Sequence, residues 1–172
     1  MRISARADYA VRAAVELASV GTAGWTKAER VADAQGIPLP FLLNILKSLR
    51  EDGLVEAKRG IDGGYRLALP ATEVSVAAVV RAVDGPLASV AGALVEDREY
   101  SGSAVGLRDT WVALRNSIRS VLEVVMLADL VSGALPASVT ELLCGDDAFT
   151  TRPEVRDRFE RRGHRAAPAP RP

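Results

Sequence analysis

Six polar side chains are spaced so that together they could hold a polyanion and read the edges of bases: Lys27, Asn44, Lys47, Lys58, Arg59 and Arg66. An asparagine amide matches the donor and acceptor on the major-groove edge of adenine, and a lysine can meet guanine or a phosphate. An arginine is drawn into a narrow minor groove. Asn44 and Lys47 lie three positions apart, opposite Phe41, Ile45 and Leu49 in the same stretch. Lys58 and Arg59 precede a glycine-rich turn and Arg66 follows it. The usual fate of any single one of these charges is to be solvated. The set is informative through its order and spacing, which fit binding to double-stranded DNA.

Other chemistries are poorly supplied. The lone histidine, His164, and the lone cysteine, Cys144, give no metal spacing and no nucleophile–base pair. Gly60 to Gly64 lies between two strand-like runs, which is the wrong setting for a phosphate-cradling loop. Glu96, Asp97 and Glu99 form an acidic cluster of the kind that is usually only solvated. The expectation is therefore no enzyme, no metal and no cofactor. The chain has 172 residues, 48% of them hydrophobic and 26% charged, enough for a real core. No apolar run is long enough to span a bilayer, and Asp8, Arg12 and Glu16 interrupt any leader-like stretch. The expected location is the cytoplasm, with no membrane partner. A single cysteine gives no internal disulfide framework. Net charge is zero, but unevenly spread: residues 1–70 carry ten Lys/Arg against eight Asp/Glu, 71–151 five against eleven, and 152–172 seven against three. A nucleic-acid surface needs local positive potential only.

Elements must position the six residues. Periodicity predicts a helix over 3–19, capped by Ser4 and stopped by Gly21 and Gly24. Thr26, with Glu29 three residues on, matches a capping box for a short helix over 27–34. Gly36 then makes a tight turn. Pro38 and Pro40 suit the first turn of the next helix, whose apolar positions are Phe41, Leu42, Ile45, Leu46 and Leu49. Strands are expected over 54–58 and 65–69, joined by a hairpin turn through Asp62-Gly63-Gly64. Ser75 caps a helix to Val83, stopped by Gly85-Pro86. Helix, short helix, turn, amphipathic helix and ribbon in that order give a mainly α fold with a small β-hairpin wing, a winged helix-turn-helix. Farther on, Leu107, Trp111, Leu114, Ile118, Val121 and Val125 follow a heptad seam, about 27 Å of helix at 1.5 Å per residue. A short helix is expected from Pro136 to Leu143.

Particular residues carry a resemblance to a known family: Met1-Arg-Ile-Ser, Asp8-Tyr-Ala-Val-Arg12, Gly36-Ile-Pro, Phe41-Leu, Asp52-Gly-Leu-Val55 and Arg59-Gly-Ile-Asp-Gly-Gly-Tyr65. The chain resembles the Rrf-two-type regulators closely over 1–86, and a helix over 107–131 fits that family's dimerisation helix. The resemblance implies a homodimer acting on an inverted-repeat operator, as a repressor. Cluster-binding members place three cysteines between the Asp84-Gly85-Pro86 equivalent and the long helix; this sequence has none there. Thiolates chiefly hold iron–sulfur clusters, so no cluster is expected. Asp8 matches a cluster-ligating position of some relatives, and here is better placed to face a helix dipole.

The expected organisation is a DNA-binding winged domain over 1–86, a connecting or effector loop over 87–106, the dimerisation and C-terminal helices over 107–150, and a disordered basic tail over 151–172. Control would come from a small molecule between winged domain and dimer helix, with Trp25, Tyr100 and Trp111 as the aromatic candidates, from a partner protein, or from oxidation of Cys144. For Trp111 on the seam, burial in the interface is the simpler reading. The rival of a different class is a winged-helix protein–protein interaction module without DNA binding.

Overall fold

The structure, a computed structural model, describes residues 3–145 and 148–150. The basic tail expected over 151–172 lies outside the described residues. Two compact units divide at Pro136 and Ala137. In the first, the order is α1 (Ala5–Val20), α2 (Ala28–Gln35), α3 (Leu39–Glu51), β1 (Val55–Lys58), β2 (Gly64–Leu67), α4 (Val76–Asp84), β3 (Ser89–Val90), β4 (Ala93–Leu94), α5 (Leu107–Leu122) and α6 (Leu127–Ser132). In the second, α7 (Ala137–Thr140) runs into a 3-10 turn over Glu141–Leu143.

The centre of the first unit is α1. Its buried face is Ala7, Ala10, Ala13, Ala14, Leu17 and Ala18, and side chains this small let α2, α3, α4 and α6 approach it. Ser4 caps it as expected, its hydroxyl accepting from the Ala7 N–H at 2.9 Å. Around α1 the core is completed by Val31, Ile37, Leu42, Ile45, Leu46, Leu49, Val55, Leu67 and Val79. The turn between α2 and α3 needs a left-handed residue, and Gly36 supplies it at φ 60° and ψ 38°. The Ile37 N–H then returns to the Ala32 carbonyl at 2.9 Å, and Ile37 itself is buried.

β1 and β2 are antiparallel, with Val55 opposite Leu67, Glu56 opposite Arg66, Ala57 opposite Tyr65 and Lys58 opposite Gly64. The ribbon is extended by one pair: Thr26 and Tyr65 exchange backbone hydrogen bonds at 2.9 and 2.8 Å. This corrects the expected capping box. Thr26 is buried and committed to the ribbon, so α2 starts one residue later, with Lys27 at the N-cap position and no side-chain cap. Gly64 is required beside this bridge: a Cβ there would sit 2.5 Å from the Thr26 carbonyl oxygen.

Two further expectations are corrected. Phe41 does not join the core of α3; it is 45% exposed and meets Tyr9 edge-to-face at 5.9 Å. It sits on the margin of the apolar face, and Tyr9 shields only one side of it. The long helix also stops early. α5 ends at Leu122, because residues 125–127 pair with 74–76: the Val76 N–H bonds the Val125 carbonyl and the Leu127 N–H the Val74 carbonyl, both at 2.9 Å. Val125 is therefore outside the helix and buried within its own chain, so it does not continue the seam. Among the described residues no helix is long and apolar enough to cross a membrane.

Candidate nucleic-acid interface

α3 is held by its inner face, Leu42, Ile45, Leu46 and Leu49, and this fixes what it presents outward. Leu43, Asn44, Lys47 and Arg50 are exposed. Asn44 donates through Nδ2 to the Pro40 carbonyl at 3.1 Å, which leaves its Oδ1 free to accept. Lys47 lies 3.8 Å from Glu51, one turn on. Arg6, at the start of α1, donates to Ser48 Oγ at 2.8 Å. Arg6, Phe41, Asn44, Lys47, Ser48 and Glu51 line a shallow groove of about 420 Å³ along this side of the helix.

The wing projects beside α2. Lys58 and Arg59 are exposed at its tip, and Arg59 makes no hydrogen bond or ion pair with any described residue. Lys27 reaches across from α2 and donates through Nζ to the Gly60 carbonyl at 2.8 Å. Arg66 is placed differently from the other five. It is partly buried, paired with Glu56 at 2.8 Å, and stacked over Trp25.

Sequence reasoning missed Arg6, Arg30 and Arg50. Arg30 and Arg50 are exposed on α2 and α3 and have no partner among the described residues. Their signal was present: each is a cation on the polar side of one of the two helices that form the motif. Arg50 also lies in the last turn of α3, where a cation favours the helix dipole.

A second concavity lies where α1 and α4 face α5 and the β3–β4 hairpin. This open cleft of about 770 Å³ is lined by apolar side chains, with Asp8 and Asp84 among them. Trp111, Leu114 and Ile118 of the seam face it. Of the three aromatic residues singled out in the sequence, only Trp111 reaches the cleft. Trp25 lies at the wing, and Tyr100 is absent from the lining.

The sequence pattern of Rrf2, described as an iron-dependent transcriptional regulator, matches residues 3–133. The chain belongs to the Rrf2 family. It is 53% identical over 142 residues to a Mycobacterium tuberculosis (strain H37Rv) protein named as an HTH-type transcriptional regulator, Rv1287, covering 83% of this chain and 88% of that one. It is 33% identical over 134 residues to the HTH-type transcriptional regulator IscR of Serratia proteamaculans, covering 77% and 80%. Among solved structures it is similar to CymR, the global cysteine regulator of Bacillus subtilis, with a TM-score of 0.65 and 28% identity over 77% of this chain and 98% of that one. The T. potens IscR structure gives a TM-score of 0.63 at 25% identity, covering 91% and 96%. This Rrf2 chain is thus a helix-turn-helix transcriptional regulator, and the relatives it matches are named as regulators rather than enzymes.

The iron in the family's description does not fit this member's donor set. The connector over 87–106 contains neither cysteine nor histidine. Among the described residues no three His, Cys, Asp or Glu side chains are grouped to hold a metal ion. Cys144 lies in the other compact unit, exposed, with its Sγ donating to the Thr140 carbonyl at 3.3 Å.

Proposed function

We propose that this Rrf2 protein is a cytoplasmic homodimeric repressor that reads an inverted-repeat operator in double-stranded DNA without an iron–sulfur cluster. The observation that carries the reading is an α3 whose buried face is complete while Leu43, Asn44, Lys47 and Arg50 point outward, next to a wing tipped by Arg59, which has no partner among the described residues. In the major groove, Asn44 suits adenine, Lys47 suits guanine or a phosphate, and Leu43 and Phe41 offer apolar contact to a thymine methyl. Lys27, Lys58 and Arg59 contact the backbone, with Arg59 the residue best free to enter the minor groove.

The dimer rests on α5. Leu107, Trp111, Leu114, Ile118 and Val121 share one face of a helix whose residues are at most half-buried in their own chain. A second chain with the same seam would cover them. Control by a small molecule in the cleft beside Trp111, or by a partner protein, is the reading for the signal.

A mobility-shift titration on DNA upstream of the protein's own gene tests this. Arg59→Ala and Lys47→Ala are each expected to weaken binding by about 1–3 kcal/mol, with a lost phosphate contact lowering the salt slope by about one. Unchanged affinity and slope in both would remove these residues from the interface. The exposure of Phe41 and Leu43, 45% and 42%, favours one rival, a protein-docking module. That rival predicts no duplex binding at all.

A further inference from the structure

The wing is tied to the body by contacts that reading a duplex does not itself require. The guanidinium carbon of Arg66 lies 4.4 Å from the centroid of the Trp25 ring. Each guanidinium nitrogen is also engaged. Nε donates to Glu56 Oε2 at 2.8 Å, Nη2 lies 2.8 Å from the same oxygen, and Nη1 donates to the Thr22 carbonyl at 3.1 Å. Glu56 stands directly across the ribbon from Arg66. Lys58 Nζ, on the other strand, is 5.9 Å from the same indole ring. The next two residues of the α1–α2 connection hold the wing as well, Thr26 through its backbone to Tyr65 and Lys27 through its side chain to Gly60 at the tip.

We infer that Trp25, Arg66 and Glu56 form a clamp that sets the angle of the wing against α2 and α3, making them positioning residues for duplex binding. This rests on the DNA-binding reading above. The physical case begins with the ribbon, because two strands alone are only marginally stable and do not fix their own direction. A wing free to swing would have to be ordered on binding, and ordering costs affinity. A planar guanidinium stacked on an indole ring, with its nitrogens taken by a carboxylate and a carbonyl, is well suited to hold two segments in one geometry. To reach a phosphate Arg66 would have to break those bonds first, whereas Arg59 has none to break with any described residue. The clamp releases no counterions from DNA, so it acts on affinity and leaves the salt dependence alone.

The two roles for Arg66 give opposite signs in one substitution. Glu56→Gln removes a negative charge from the wing. If Arg66 met a phosphate, its release would strengthen binding; if it clamps, binding weakens. Using full-length protein on an operator duplex at three salt concentrations, Glu56→Gln is expected to lose about 3- to 10-fold in affinity, and Arg66→Gln about 10-fold, both with the wild-type salt slope. Trp25→Phe keeps a ring face and should lose less than Trp25→Leu. Hydrogen exchange at the Thr26 and Tyr65 amides should quicken in Glu56→Gln and Trp25→Leu while far-ultraviolet circular dichroism stays that of the wild type. Unchanged or tighter binding by Glu56→Gln, or a slope reduced by about one in Arg66→Gln, overturns the clamp. If the wild-type protein binds no duplex, the DNA reading fails on its own. Exchange then decides the clamp: faster wing amides uphold it, and unchanged amides overturn it.

Discussion

Two helices of equal length behave in opposite ways. α1 and α5 each have 16 residues. α1 buries six of its own within the chain; α5, with a seam of larger apolar residues, buries none. The winged half is thus packed around its central helix without help, and α5 carries an apolar face that the rest of its chain covers only in part. The difference separates two jobs. The winged half needs a rigid body to aim α3 and the wing, and small alanines on α1 provide it through close contact. On the reading proposed above, α5, which leaves Leu114 40% exposed, is the helix whose face a second chain would cover.

The most severe way to break the comparison is to hollow out the complete half. Leu49 is fully buried on α3, so Leu49→Ala leaves a cavity beneath the reading face and should cost about 2–5 kcal/mol in chemical denaturation. A loss under about 1 kcal/mol would mean that the winged core is not the tight body described. The matching change in the open half is Ile118→Asp. A charge on the seam should raise the dimer dissociation constant roughly 100-fold, about 3 kcal/mol, as read by sedimentation. Its effect on winged-domain unfolding should be much smaller than that of Leu49→Ala. A dimer that persists places the interface away from α5.

The same contrast governs what could be read from the residues alone. The winged half was legible because its signals are local. Ser4 and Ser75 cap where expected, Gly36 makes the left-handed turn, and the glycine-rich run joins two paired strands. Failures came wherever a distant segment intervened. Thr26 looked like a cap until its backbone was taken by Tyr65. The heptad count carried the seam to Val125, but pairing of 125–127 with 74–76 drew that residue inside, which no periodicity along α5 could reveal. The residues alone point Trp25 toward a ligand pocket and Arg66 toward a narrow minor groove, and what they do not show is the contact of the two with each other. The structure stacks one on the other, a pairing invisible in sequence because the two are separated by the whole reading helix. For the site, residue type singled out Lys27, Lys47, Lys58 and Arg59, which are exposed, but passed over the equally exposed Arg30 and Arg50; the tethering of Lys27 and Arg66 could be seen only in three dimensions.

The smallest expected effect tests the tie between the two halves. Glu123, just past the end of α5, accepts from Arg81 on α4 and from Arg119 one turn back, the latter at 2.9 Å. Its carboxyl is held below the usual glutamate value of 4.5, first by the hydrogen bond from Arg81 and then by that from Arg119. A carboxylate whose folded value lies below its unfolded one adds stability above the unfolded value and loses it as pH falls through the folded one. Because the group is partly exposed and screened by solvent, the contribution is small. Glu123→Gln should therefore melt slightly below the wild type at neutral pH, and the two melting curves should converge as the pH is taken below 4.5. Their difference should also shrink in high salt. A gap that persists unchanged through acid would show that the substitution acts on packing at the end of α5. The ionic tie would then contribute nothing to holding the open helix against the complete half.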